Sequence, residues 1–175
     1  MRAGLRIGAC VVAGLLAAIA TPAHAREPAW VARVDLEGRG VPVEVTFYRD
    51  DAGSRGFLHV GGRPGWTSPV YRAWKAAAGD LDGDGRVEVI LGTWVSRHRH
   101  DEPDPHRSIW VFGWDGDRLR PLWRGSALGM PLVDFEVAER DGRAVLRATE
   151  RGHAGTRLTV YRWTGFGFAE VRGWR

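Results

Sequence analysis

A pattern of short strand-like runs recurs three times along this chain, and it restricts the possible fold more than any other feature. The units begin near Trp30, Trp74 and Leu132, and in each an apolar stretch leads into a polar turn and then into a second run. Alternation of apolar and polar residues is the period of a half-buried strand, and no segment has apolar residues at helical spacing. We therefore predict an all-β fold of three repeats. The repeats span approximately residues 30–73, 74–130 and 131–175.

Each repeat contains about four short runs of this kind. The run after the polar turn is 41–48, 87–95 or 143–149, and the next is 56–60, 108–112 or 157–161. A further aromatic-bearing run follows, most clearly at 119–123 and 168–171. Four antiparallel strands at this spacing are typical of a propeller blade, but propellers usually have at least four blades. We therefore expect a propeller-like fold that is open, incomplete or irregularly closed, with a second copy or another partner covering its edges.

The second unit contains an acidic segment, DLDGDGRVE at residues 80–88, whose composition and spacing indicate a metal site. Carboxylates at the first, third and fifth positions point to one centre, and Gly85 permits the sharp turn around it. The seventh position contributes a backbone carbonyl and the ninth a carboxylate, which completes a shell of oxygen ligands. We predict one calcium ion held by Asp80, Asp82, Asp84, Arg86 and Glu88.

Two observations separate this segment from an EF-hand. The twelfth position is Leu91, where an EF-hand has a bidentate Glu. Residues 87–91 are mainly β-branched and apolar, which favours a strand after the loop over a helix. The alternative is an acidic turn without metal, since Asp and Gly are also the commonest turn residues.

Residues 74–92, WKAAAGDLDGDGRVEVILG, closely resemble the FG-GAP or VCBS repeat, the calcium-loop blade of integrin-α-type β-propellers. In that family the loop joins two strands of a blade, and its acidic positions ligate calcium. The resemblance implies that Asp80, Asp82, Asp84 and Glu88 are side-chain ligands and that Arg86 contributes its carbonyl. It is closest in the second unit and less complete in the other two.

The first and third units lack a complete version of this site. In the first, Arg39 lies where a carboxylate is expected, and the turn is predicted to be one residue shorter. In the third, Val137 replaces the first ligand and Val145 the last. Glu139 and Asp141 remain. The sequence therefore predicts a single calcium ion, with the Arg39 side chain supplying positive charge in the first unit.

Residues 1–25 have the order of a secretory signal peptide: Arg2 and Arg6, an apolar run, and small residues ending at Ala25. The run is too short for a spanning helix of about 20 residues, so we expect no transmembrane segment. Cys10 lies within the removed part, so the mature domain has no disulfide. We predict one domain, residues 26–175, exported to the periplasm or the extracellular space.

Charge and motifs exclude several functions. The chain has a net charge of +4, and removal of the two leader arginines lowers this to +2, with the basic residues interspersed among acids. Nucleic-acid binding requires a concentrated basic face, so we expect none. The sequence contains no GxSxG, HExxH, CxxC or phosphate-loop pattern. We therefore expect a non-enzymatic binding or structural module with an unknown protein or glycan ligand.

Two alternatives remain open. The insertion at residues 96–107 contains His98, His100 and His106 with several acids, which suits a transition-metal-dependent enzyme, although a solvated loop is the simpler interpretation. The nine tryptophans allow a carbohydrate or cell-wall-binding module, with Trp66 and Trp94 the candidates for exposed stacking faces. Recurrence of aromatic residues at matched repeat positions instead favours packing between blades.

Overall fold

The computed structural model describes residues 27–62, 65–95, 106–125, 128–140 and 142–172, which form three antiparallel sheets of four strands. Sheet 1 contains β1 (Pro28–Val34), β2 (Val43–Arg49), β3 (Gly56–Val60) and β4 (Trp66–Thr67). Sheet 2 contains β5 (Ala73–Gly79), β6 (Glu88–Val95), β7 (His106–Trp114) and β8 (Leu119–Arg124). Sheet 3 contains β9 (Leu132–Arg140), β10 (Arg143–Gly152), β11 (Gly155–Trp163) and β12 (Phe168–Glu170). The described residues include no helix, so the predicted all-β class and its three four-stranded units are confirmed.

Each sheet is a meander in which consecutive strands are hydrogen-bonded neighbours. The three meanders also share a register shift in the pairing of their first two strands, where the first strand has one extra residue. The extra residues are Ala29, Trp74 and Val133. Because a bulge of this kind bends and twists a strand, its recurrence shows that the repeat extends beyond the hydrophobic pattern to the backbone geometry.

Sheet 2 is the middle layer of the described structure. Val89 and Leu91 of β6 belong to a core shared with sheet 1, which includes Phe47 and Leu58. Ile90, between them, belongs to a second core shared with sheet 3. Alternate residues of one strand therefore enter two different cores, which explains why β6 is an almost continuous apolar run whereas most other strands alternate.

The tryptophans of the described residues mainly fill these two cores. Four of them pack against the core between sheets 1 and 2: Trp30, Trp66, Trp110 and Trp114. Trp74, Trp123 and Trp163 belong to the core between sheets 2 and 3, where Trp123, Trp163 and Phe168 meet edge to face. The packing interpretation is confirmed for these seven, including Trp66. Trp174 lies outside the described residues.

Gly92 on β6 provides a test of the second core. A Cβ atom at this position would lie 2.7 Å from Cε2 of Trp74 and 2.8 Å from Cε1 of Phe135, which are too close for carbon atoms. The two rings already pack edge to face, with centroids 5.5 Å apart. We expect Gly92→Ala to lower the free energy of unfolding by about 1 to 3 kcal/mol, the usual cost of overpacking.

Urea unfolding measures this effect, with Gly61→Ala as the matched control. A Cβ atom on Gly61 would make only ordinary contacts, the nearest at 3.4 Å. The control is expected to change the unfolding free energy by less than about 0.5 kcal/mol. Equal unfolding midpoints for the two variants would contradict the packing described here.

No helix among the described residues has the length and apolar character needed to cross a membrane.

Candidate metal centre

The acidic segment connects β5 to β6 at one end of sheet 2. Asp80 immediately follows β5, and Glu88 is the first residue of β6. Glu88 pairs with Gly79, so the strand ladder brings the two ends of the connection side by side. The first and last predicted ligands are therefore positioned by the sheet itself.

The Asp80 carboxylate organises the turn. Its Oδ1 accepts a hydrogen bond from the backbone N–H of Gly83 at 2.7 Å, and its Oδ2 accepts one from the N–H of Gly85 at 2.9 Å. Both glycines have positive φ, 81° and 86°, which other residues adopt only with strain. The predicted need for glycine at position 85 is confirmed in this geometry.

Three of the predicted ligands converge on one centre. Single carboxylate oxygens of Asp80, Asp82 and Glu88 all lie within 4.8 Å of one another. Oxygens bound to the same calcium ion at 2.3 to 2.6 Å are separated by up to about 5 Å, so the group has the size of a coordination shell. This acidic cluster could hold a metal ion.

Asp84 and Arg86 lie beside this group and interact with each other. Oδ1 of Asp84 accepts a hydrogen bond from the backbone N–H of Arg86 at 2.8 Å, and its Oδ2 lies 3.8 Å from Nε of Arg86. Both side chains are well exposed. Their assignment as metal ligands, through a carboxylate and a carbonyl, stays a prediction.

Glu88 is the buried member of the cluster, with 5% of its surface exposed. Burial raises the pKa of Glu88 to about 7, against the opposing effect of the Leu81 N–H, which donates to Oε2 at 2.8 Å. The negative charges of Asp82, Asp84 and Asp80 raise this pKa further. Without a cation, this carboxyl is therefore only partly ionised at neutral pH, and a bound cation would favour its ionised form.

An aspartate that accepts backbone hydrogen bonds at the start of a turn recurs in this protein and is not by itself a metal site. Asp50 and Asp115 also accept backbone N–H groups from two to five residues further along the chain. The connection at Asp80 differs because Asp82 and Glu88 bring two more carboxylates to the same point. Mutual repulsion of three carboxylates distinguishes this segment from an ordinary acidic turn.

The first unit contains a turn of the same kind, but it lacks part of the predicted ligand set. The carboxylate of Asp35 accepts backbone N–H groups from Glu37, Arg39 and Gly40, as Asp80 does in its own turn. The connections 35–42 and 80–87 have the same length, so the prediction of a shorter first turn is wrong. Val43 occupies the position of Glu88, and the Arg39 guanidinium lies 3.0 Å from Glu37. Glu37 and Arg39 thus form an ion pair at the positions that Asp82 and Asp84 occupy in the second unit.

The third unit has no corresponding loop. Arg140 pairs directly with Arg143, so β9 and β10 are joined by a tight turn containing Gly142. The sequence pattern predicted an apolar stretch and a polar turn within 135–142. The turn is shorter than this prediction requires, because Val137 and Glu139 lie within β9. Longer strands replace the loop here, which removes the backbone on which a metal site could form.

Both neighbouring units contact the acidic connection. The N–H of Val87 donates to the carbonyl of Asp35 at 3.0 Å, and the N–H of Ala144 donates to the carbonyl of Asp80 at 3.2 Å. Arg143 also lies close to Gly83. The segment therefore joins sheet 2 to the first-unit turn on one side and to sheet 3 on the other.

The alternative metal site cannot be built from the described residues. His98 and His100 fall within residues 96–105, which lie outside them, whereas His106 and Arg107 are the first two residues of β7. Trp94, the other proposed stacking residue, is half-buried and lines a pocket with His106 and Arg107.

Sequence reasoning missed a buried carboxylate, Glu150 on β10, whose surface is 0% exposed. Its Oε1 accepts the Tyr161 hydroxyl at 2.8 Å and the Met130 N–H at 2.9 Å, while its Oε2 accepts the Thr159 hydroxyl at 2.5 Å. Burial, followed by the hydrogen bond to Glu150, raises the pKa of Tyr161 to about 12. The available signal was its alternation with Leu146 and Ala148 on β10, which places it on the core side.

Comparison of the chain with known protein families, with curated proteins and with solved structures gave no match.

Proposed function

We propose that this protein is an exported, non-enzymatic binding or structural module of the FG-GAP/VCBS type, in which one calcium ion stabilises propeller-like sheets. The convergence of Asp80, Asp82 and Glu88 carries this proposal. All three side chains offer hard oxygen ligands, and the group contains no His or Cys, so its chemistry fits calcium better than zinc or copper.

The position of the centre supports a structural role for the ion. The same connection donates a hydrogen bond to the first-unit turn through Val87 and accepts one from sheet 3 through Asp80. An ion that fixed residues 80–88 would therefore stabilise both boundaries of sheet 2. Calcium sites in extracellular modules work near 10⁻⁴ to 10⁻³ M, so such an ion remains bound outside the cell and does not act as a signal.

The signal-peptide pattern of residues 1–25 supports export to the periplasm or the extracellular space. The outer strands of the three sheets are short or irregular: β4 has two residues and β12 has three. Short edge strands limit unwanted pairing, yet they leave room for a second copy or a partner along the sheet edges. We propose a protein or glycan as that partner, with no nucleic acid.

Calcium is expected to raise the thermal midpoint of the protein. At free calcium ten times the dissociation constant, binding to the native state alone adds about 1.4 kcal/mol, which corresponds to roughly 3 to 6 °C for a domain of this size. Differential scanning calorimetry with calcium and then with a chelator measures the shift. We expect Asp82→Asn to abolish it, because the exposed Asp82 carboxylate contributes a ligand and little packing.

Glu37→Gln is the matched control, because Glu37 occupies the equivalent position in the first-unit turn and pairs with Arg39. This variant should respond to calcium like the wild type. A wild-type midpoint that is the same in calcium and in chelator would overturn the calcium proposal.

A further inference from the structure

A pocket of about 550 Å³ lies at the boundary between sheets 2 and 3. Trp94 on β6 and His106 and Arg107 on β7 line one side, and residues 131–133 with Arg151 line the other. Trp94 is near the end of β6 opposite Glu88, so about 20 Å of strand separates the pocket from the acidic connection. The pocket is therefore distinct from the candidate metal centre.

The Arg107 guanidinium is held in place before any ligand arrives. Its Cζ lies 4.6 Å from the ring centroid of Trp74 and 5.1 Å from that of Trp94, and Nη1 donates a hydrogen bond to the carbonyl of Val133. A guanidinium has five N–H donors, so several remain for a ligand after this bond is made. A fixed arginine loses little side-chain entropy on binding, and its planar fork matches a carboxylate.

The described side chains that line the pocket give it a positive charge. None of these described lining residues is Asp or Glu. Neither Arg107 nor the exposed Arg151 forms an ion pair with a described carboxylate. Several other described arginines do form such pairs: Arg39, Arg86, Arg118, Arg120, Arg147 and Arg157. Two cations beside an indole and the side chain of Leu132 form a site for an anion with an apolar body.

We propose that this pocket binds a small organic carboxylate that carries a ring, with Arg107 and Arg151 binding the carboxylate and Trp94 contacting the ring. This inference gives a ligand class to the proposed binding role. It does not depend on calcium, because the two sites lie at opposite ends of β6. A uronic-acid sugar and an aromatic acid share this chemistry.

Isothermal titration calorimetry with sodium D-glucuronate and sodium benzoate tests the proposal, with D-glucose and benzyl alcohol as neutral counterparts. We expect at least one acid to bind with a dissociation constant on the order of 0.1 to 1 mM, and its neutral counterpart to bind at least tenfold more weakly. Preference for glucuronate would indicate a sugar-derived ligand, and preference for benzoate an aromatic one.

Arg107→Ala and Arg151→Ala should each weaken binding about tenfold, and Arg107→Lys should have a smaller effect because it keeps the charge but loses the fork. Arg151 provides a second test that is independent of packing, since its side chain is exposed whereas Arg107 contacts two indole rings. Arg33→Ala, an exposed arginine on β1, is the control and should leave affinity unchanged.

The proposal is overturned if neither acid gives saturable binding up to about 10 mM, the weak limit for ligands this small. It is also overturned if the neutral counterparts bind equally well, or if both alanine variants bind like the wild type. Each titration is repeated in calcium and in chelator. A calcium-dependent midpoint without carboxylate binding would reject only the pocket, whereas carboxylate binding without a calcium response would reject only the calcium centre.

Discussion

Replacement of Glu150 by Ala is expected to lower the free energy of unfolding by about 3 to 5 kcal/mol, the range observed when one member of a buried polar network is removed. The Glu150 carboxylate is fully buried and accepts hydrogen bonds from Thr159, Tyr161 and Met130. Without it, two hydroxyl groups and one backbone N–H lose their acceptor, and a cavity remains between them.

Urea unfolding followed by tryptophan fluorescence measures this loss, because Trp163 lies in the same core as Tyr161. Glu136→Ala is the matched control: Glu136 is also a strand glutamate of sheet 3, but its side chain is 58% exposed and pairs with Arg147 at 2.8 Å. A surface pair of this kind contributes at most about 1 kcal/mol. If both variants unfold at the same urea concentration, Glu150 does not stabilise the core as described.

A more conservative variant tests whether the charge of the Glu150 side chain, and not only its size, stabilises the core. Glu150→Gln keeps the volume and one carbonyl acceptor, but its amide group presents two donors where the carboxylate presented an acceptor to Thr159. Glu150→Gln should therefore lower the free energy of unfolding by more than Glu136→Ala does and by less than Glu150→Ala does. Because the Met130 N–H bond fixes the chain between the second and third units, both Glu150 variants should also loosen the boundary between sheets 2 and 3.

The strands were predictable because their pattern depends on local sequence. β3 has the predicted bounds, Gly56–Val60, and β8 extends only one residue beyond the predicted run 119–123. In both cases turn residues end the strand and the apolar residues show which side is buried. The acidic segment was predictable for a similar reason, since Asp80, Asp82 and Glu88 are close in sequence and the turn between them is short.

The unpredicted features depend on partners that are distant in sequence. Glu150 accepts hydrogen bonds from residues 9, 11 and 20 positions away, and Arg107 donates to Val133, 26 positions away. The strand pattern can place Glu150 on the core side, but it does not show these partners: they require the pairing of β10 with β11 for Glu150 and the packing of sheet 2 against sheet 3 for Arg107. The third-unit turn was predicted too long because its Glu and Asp resemble turn residues, although β9 continues as a strand through Arg140.

The candidate metal centre and the buried network around Glu150 use carboxylates in opposite ways. Glu150 receives enough donors to satisfy it without a cation, including the Arg157 guanidinium at 3.3 Å. Among the described residues, Glu88 receives one donor, the Leu81 N–H, and faces three other acids. A buried acid with so few donors is stable only when it is protonated or bound to a cation, which predicts opposite effects of pH on the protein with and without calcium.

In calcium-free buffer, the protein is expected to become less stable as the pH rises from about 5 to about 8. Burial raises the pKa of Glu88 in the folded state to about 7, from 4.5 in the unfolded chain. The stabilising contribution of the protonated form is complete below pH 4.5 and is lost as the pH rises through 7. A shift of this size corresponds to about 3 kcal/mol at most.

The two other described carboxyl groups with a shifted pKa do not titrate between about pH 5 and about pH 8. Asp115 titrates below it, because its hydrogen bond with Arg120 lowers its pKa. The pKa of Asp35 is also lowered, since burial raises it less than the backbone N–H groups of the first-unit turn lower it. Both groups therefore change charge at a lower pH than an ordinary aspartate, outside the range of the experiment.

Saturating calcium should reverse the trend, because the ion binds the ionised form of Glu88 and releases its proton. The calcium-induced gain in unfolding free energy is then expected to grow from pH 5 to pH 8. Urea unfolding at several pH values, with and without calcium, measures both slopes. Glu88→Gln removes the titrating group while its amide oxygen can still accept from Leu81, so this variant should lose both the pH-dependent decline and the calcium response. If the free energy of unfolding changes with pH in the same way for the wild type and Glu88→Gln in calcium-free buffer, the destabilising charge lies on another residue.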